Sequence, residues 1–185
     1  GIIHRDLKPE NIYLVRSGKA NEQVKILDFG IAKMSVLDGE GRKLTKTGVV
    51  FGTPEYMSPE QAGGKPVDHR IDIYAVGVIM FEMFTGAVPF TGDTFMSILT
   101  KHMFEPVPDM RTVNPQLAIP PTMQSIVMKA LVKDPDERFG SMAELLAALT
   151  SVQEDPDTVP FDEPVAGHPR ASDMTTPGPV LEVGG

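Results

Sequence analysis

The sequence contains no cysteine and no tryptophan, and aromatic residues make up only 6% of its 185 positions. Without cysteine there are no disulfides, thiolate zinc sites or iron–sulfur clusters, which suits a reducing compartment. No apolar run approaches the ~20 residues a bilayer-spanning helix needs. The opening GIIHRDLKPEN has neither the basic and apolar regions of a secretory leader nor an initiator methionine. An internal excerpt of a cytoplasmic polypeptide is therefore expected, with any membrane anchor of the full-length protein lying beyond the tail. A basic excess is missing too. From Gln153 to Gly185 seven acidic residues stand against one basic, giving −6 of the net −8, so residues 1–152, with 18 acidic and 16 basic, are nearly neutral. Nucleic-acid binding requires a concentrated basic face, so no nucleic-acid partner is expected. The apolar fraction of 41% is ample for one domain with a core.

What is present divides the chain into distinct stretches. Ile12-Tyr13-Leu14-Val15 and Val24-Lys25-Ile26-Leu27 are short β-rich runs separated by RSGKANEQ, where Gly18 and Asn21 suit a turn, so a hairpin is expected. From Lys33 to Lys65 the chain is polar and glycine-punctuated without a period, which predicts a long, functional loop. Ile71 to Thr85 is apolar nearly all round and predicts a buried helix stopped by Gly86. Further helices are expected over Thr94–Met103, over Met123–Val132 from a start near Pro121, and from Ser141 to about Val152. In the last of these, Glu144 would complete a capping box with Ser141. The tail 153–185 holds six prolines, four glycines and no apolar period, and reads as a disordered acidic segment or juxtamembrane linker. The fold expected is mainly α with one short β-hairpin.

The chemistry concentrates at His4–Asn11, HRDLKPEN, followed across the hairpin by Asp28-Phe29-Gly30. Phosphoryl transfer asks little covalent work of a protein; it needs an oriented hydroxyl, cations over the phosphates and in-line geometry. Asp6 supplies a carboxylate to accept the hydroxyl proton, and Lys8 a flexible point cation for the transferred phosphate. Asn11 and Asp28 offer a carbonyl and a carboxylate, hard oxygen ligands that Mg²⁺ prefers. The hairpin would fold those two residues back toward each other, and Gly30 permits the close turn after Asp28.

With these motifs the chain resembles the C-terminal lobe of eukaryotic-type (Hanks-type) serine/threonine protein kinases, over residues 2 to about 152. Gly52-Thr53-Pro54-Glu55-Tyr56-Met57-Ser58-Pro59-Glu60 resembles the family's substrate-docking segment, with Ser58 where alanine is commoner. Asp72 and Gly77 of DIYAVG match its buried helix, and Arg138 of DPDERF matches the arginine that pairs with the segment's last acid, Glu60. The resemblance implies ATP and Mg²⁺ (or Mn²⁺) as cofactors and serine or threonine hydroxyls of proteins as acceptors. It implies that His4 packs on Phe29, that Asp72 accepts hydrogen bonds from the backbone at His4 and Arg5, and that Thr53 is the docking threonine. Tyr13 falls where the family places a side chain under the adenine ring; as a plain strand residue it would be core. Arg5 before Asp6 implies activation-loop phosphorylation, since a guanidinium grips a phosphate bidentately. LTKTGVVFGT resembles the loop of bacterial receptor-type kinases, so Thr45 and Thr47 are the expected phosphorylation sites, with a kinase homodimer for autophosphorylation in trans.

No glycine-rich phosphate loop, strand lysine or acidic partner for that lysine occurs in the 185 residues. Residues 1–152 are therefore expected to be a partial domain, the C-lobe, that depends on its own N-lobe and is inactive alone. The other reading is a truncated, catalytically silent C-lobe acting as a protein-binding module.

Overall fold

The computed structural model describes residues 2–17, 21–27 and 53–153. Within them the chain is mainly helical, with one two-stranded antiparallel sheet. A 3₁₀ turn at Pro9–Asn11 leads into β1 (Ile12–Ser17), which pairs with β2 (Asn21–Ile26), Ile12 opposite Ile26 and Leu14 opposite Val24. The strands run further toward the turn than their apolar residues suggest: Asn21, expected in the turn, pairs with Ser17. Tyr13, Leu14, Val15 and Val24 are all exposed, so backbone pairing holds this hairpin more than a packed face does.

Residues 53–65, expected as part of a long loop, instead hold a 3₁₀ turn at Pro54–Tyr56 and a one-turn helix α1 (Pro59–Ala62). Ser58 explains α1: its hydroxyl accepts the Gln61 N–H while the Gln61 side chain accepts the Ser58 N–H, and Pro59 needs no N–H partner at the first helical position. Residues 33–52 of that stretch, and the tail from 154, lie outside the described residues.

Helix α2 (Arg70–Thr85) is the axis of the fold. Ile71, Ile73, Tyr74, Ala75, Val78, Ile79, Met80 and Phe81 are all buried, as its uninterrupted apolar run predicts. It ends where Gly86 adopts a φ of 77°, a left-handed conformation that costs glycine little, and the Gly86 N–H donates to the Glu82 carbonyl at 2.8 Å. Gly77 sets the approach of the next layer: a Cβ there would lie 2.9 Å from Ala130 Cβ and 3.1 Å from Leu131 Cδ2. Helix α3 (Phe95–Phe104), capped by Thr94, packs on α1; the short unforeseen α4 (Met110–Val113) and α5 (Pro121–Ala130) pack on α2, and α6 (Met142–Gln153) packs on α5. Helix α5 stops two residues before the predicted end. The capping box of α6 closes differently from the expectation: Ser141 Oγ accepts the Glu144 N–H at 3.2 Å, but the Glu144 carboxylate takes the Gly140 N–H at 2.8 Å.

His102, to which no role falls from the sequence, is fully buried on α3 between Tyr74 and Phe90. The Tyr74 hydroxyl is 2.8 Å from its Nδ1. Lys133 closes the end of α3, donating to the carbonyls of His102 at 2.8 Å and Lys101 at 3.4 Å, with its ammonium 4.3 Å above the Phe90 ring. Burial first, then the Lys133 charge, pushes His102 down to about 4, and burial pulls Lys133 down to about 8. The folded chain therefore keeps His102 neutral down to about pH 4, whereas the unfolded chain protonates it near ~6.5. In that window the unfolded state binds more protons, so stability falls as the pH drops. Urea denaturation from pH 6.5 to 4 should show a steeper loss for the native chain than for His102→Gln, by up to about 3 kcal/mol at the acid end. Parallel curves would contradict this.

Candidate active site

The site is built on a bend that its own sequence does not favour. Arg5 has a φ of 68°, the one non-glycine residue with positive φ among those described, a conformation that costs of order 1–3 kcal/mol. Asp72, buried in the first turn of α2, offsets that cost: one carboxylate oxygen accepts the His4 N–H at 2.8 Å and the other the Arg5 N–H at 2.9 Å. The His4 ring bridges the loop to the end of the hairpin, with Nδ1 3.3 Å from the Asp6 N–H and Nε2 3.2 Å from the Leu27 carbonyl. A carbonyl only accepts and an amide N–H only donates, so a neutral ring protonated on Nε2 satisfies both contacts.

Past the bend the side chains converge. Lys8 Nζ lies 3.7 Å from Asp6 Oδ2 and donates to Thr53 Oγ1 at 3.2 Å, joining the loop to a residue 45 positions later. Asp6 and Lys8 are each about one-fifth exposed, open enough for a ligand and dry enough to strengthen their attraction. Asn11 is buried, and its Nδ2 donates to the Asp6 carbonyl at 2.8 Å, which leaves the amide oxygen as its ligating end. The Leu27 N–H donates to the Asn11 carbonyl at 2.9 Å, so the chain returns beside Asn11 one residue before Asp28. Asn11 thus fits a hard-oxygen ligand of a divalent cation; among the described residues no cluster of three or more His, Asp or Glu could hold a metal.

The segment 53–62 forms the wall facing this loop. The Tyr56 hydroxyl donates to Glu82 Oε2 at 2.7 Å; burial, then Glu82, hold that phenol above its ordinary range and keep it a donor. Glu60 meets Arg138 in a buried two-pronged pair, both N–O distances 2.7 Å. Arg138 uses all five of its N–H groups: two on Glu60, and one each on the carbonyls of Val132, Arg70 and Lys133. Its guanidinium also lies 4.9 Å from the Tyr74 ring centroid.

Of the residues singled out from the sequence, the structure brings Asp6, Lys8 and Thr53 together, sets Asn11 beneath Asp6, and puts Asp72 behind the loop. Tyr13 is 51% exposed, so it is not strand core. Asp28, Phe29, Gly30, Thr45 and Thr47 lie outside the described residues, and with them the expected packing of Phe29 on His4. Sequence reasoning missed Tyr56, Glu82 and Gln61. The last had a signal, since Ser58 and Gln61 have the S-x-x-Q spacing of a capping box; the Tyr56–Glu82 pair, 26 residues apart, had none.

Residues 1–149 match the protein kinase domain family. Among curated proteins the chain is 45% identical to the serine/threonine-protein kinase pkn3 of Myxococcus xanthus, over 84% of this chain and 28% of that protein. It is 43% identical to the serine/threonine-protein kinase PknB of Mycolicibacterium smegmatis, over 83% of this chain and 23% of that protein. A probable serine/threonine-protein kinase PknB of Lactococcus lactis is 42% identical over 82% of this chain and 22% of its own length. The chain thus spans about a quarter of the length of these relatives. Replacing Arg138 by lysine leaves one compact ammonium where five fixed donors stood, and should cost ~3–5 kcal/mol in urea unfolding. A loss below about 1 kcal/mol would show the pair to be dispensable.

Proposed function

The chain belongs to the protein kinase domain family, and from that premise we propose that it forms the C-terminal lobe of a serine/threonine protein kinase acting on protein hydroxyls. The observation that supports this best is the Asp6–Lys8–Thr53 convergence, a carboxylate and an ammonium 3.7 Å apart with the docking threonine 3.2 Å from the same ammonium. In this reading the acceptor hydroxyl gives its proton to the Asp6 carboxylate as its oxygen bonds to the γ-phosphorus of ATP. The bond from that phosphorus to the bridging oxygen breaks, and ADP leaves with the electron pair. Lys8 neutralises charge on the transferring group, and Thr53 holds Lys8 over the acceptor position. Asn11 and Asp28 would hold Mg²⁺, which when bound would supply charge neutralisation at the phosphates. Tyr13, exposed on the hairpin, would contact the adenine of bound ATP.

Further parts of the reading concern the rest of the protein. An N-lobe supplies the phosphate clamp, for which residues 1–185 hold no motif. Thr45 and Thr47 are phosphorylated in trans by a second copy, and Arg5 grips a resulting phosphate. Residues 153–185 form a linker after the domain. Among the described residues no helix is long and apolar enough to cross a membrane.

Two measurements test this. Asp6→Asn in the full-length protein should lower kcat for phosphate transfer to a serine or threonine peptide by ~10²–10⁴-fold. If neither the native protein nor the variant transfers phosphate while both bind protein partners, the domain is a binding module instead. Thr45→Ala with Thr47→Ala should lower turnover and remove phosphate from this loop by mass spectrometry; full turnover with an unmodified native loop would refute that part.

A further inference from the structure

Helix α1 is gripped from two sides by adjacent residues. Glu60 reaches into the interior to Arg138, both N–O distances 2.7 Å. Gln61, the next residue, points the other way: its Nε2 donates to the Arg5 carbonyl at 3.3 Å. The same side chain is oriented by Ser58, whose N–H donates to Gln61 Oε1 at 3.0 Å while the Ser58 hydroxyl accepts the Gln61 N–H at 3.3 Å. The Arg5 carbonyl belongs to the peptide unit that joins the positive-φ residue to Asp6, and the N–H of that unit meets His4 Nδ1 at 3.3 Å. This peptide unit is therefore held at its carbonyl by the docking segment and at its N–H by the loop's own histidine.

We infer that Gln61 is a positioning residue that couples the docking segment to the catalytic carboxylate: through the Gln61 amide, the seating of α1 on Arg138 fixes the peptide unit from which Asp6 projects. The inference rests on the kinase reading only for what Asp6 does there, since the mechanical link is a statement about the loop. A one-turn helix has no strength of its own, so its position depends on these side-chain bonds. Ser58 takes part directly. Where the resemblance would favour alanine, its hydroxyl caps α1, and its N–H sets the rotamer that aims Gln61 at Arg5.

Two substitutions separate the link from the cap. Gln61→Glu keeps an acceptor for the Ser58 N–H but replaces the donor facing the Arg5 carbonyl with a second acceptor. Gln61→Met keeps length and loses both bonds. In hydrogen exchange by NMR on the full chain, both should speed exchange of the Arg5 and Asp6 amides about tenfold, while amides in the middle of α2, such as Val78 and Ile79, stay unchanged. In the full-length protein both should lower kcat three- to tenfold with the KM for ATP unchanged. Native exchange at Asp6 in Gln61→Glu would overturn the inference. So would a uniform rise that includes α2, because Gln61 would then be only a general stabiliser, and so would an exchange change with kcat unaltered in an active enzyme. Faster exchange at Asp6 in a full-length protein that never transfers phosphate would uphold the link and refute the kinase reading, so the two failures are told apart.

Discussion

The Arg138 guanidinium organises the ground on which the site stands. It is a planar fork of five N–H donors, and each has an acceptor: the two oxygens of Glu60 and the carbonyls of Val132, Arg70 and Lys133. Those acceptors lie on α1, at the start of α2, and on the turn after α5, so one buried cation ties three parts of the chain that are distant in sequence. A buried charge with any donor left unpaired would be costly, so the three segments hold their places relative to one another or lose the pair. Lys133, whose carbonyl Arg138 holds, sends its own ammonium on to the end of α3.

From that anchor, order passes to the His4–Asn11 loop along two routes. One is α2, whose Asp72 turns a carboxylate toward the backbone of His4 and Arg5 and offsets an unfavourable φ at Arg5. The other is the segment 53–62, through Thr53 on Lys8 and Gln61 on Arg5. Neither route uses the hairpin's exposed faces. The hairpin contributes through its backbone instead, bringing Leu27 beside Asn11. The loop is thus set by polar contacts to elements that are themselves packed, which suits a site that must hold a carboxylate and an ammonium in fixed relation without burying either.

Much of this is legible in the sequence, for reasons that differ by element. Helix α2 announces itself because burial on all sides demands an unbroken apolar run, and Gly86 stops it because a left-handed cap favours glycine. The end of α5 and the cap of α6 escape such reasoning because they depend on which carbonyl or N–H is nearest once neighbours are packed, and Glu144 takes Gly140 over Ser141. The stretch 53–65 reads as loop because its helix is a single turn, too short for a period to show. His102 reads as idle because nothing local marks a histidine that will be enclosed by Tyr74 and Phe90.

The order of residues in HRDLKPEN, with Asp28 after the hairpin and Glu60 and Arg138 further on, by itself determined the family this chain belongs to and the residues that mark it. Those identities depend on side-chain types at fixed spacing, which a linear chain states outright. Only the tertiary structure decided that Lys8 lies between Asp6 and Thr53, that Gln61 reaches Arg5, and that Tyr56 rests on Glu82. These are contacts across 26 to 56 residues. They form because apolar burial around α2 and the charge pairing at Arg138 bring the segments together, and their geometry is a property of the packed whole. In an unfolded chain Lys8 has Asp6 two residues away but not Thr53; once folded, its three-proton head has that carboxylate and the hydroxyl in reach together.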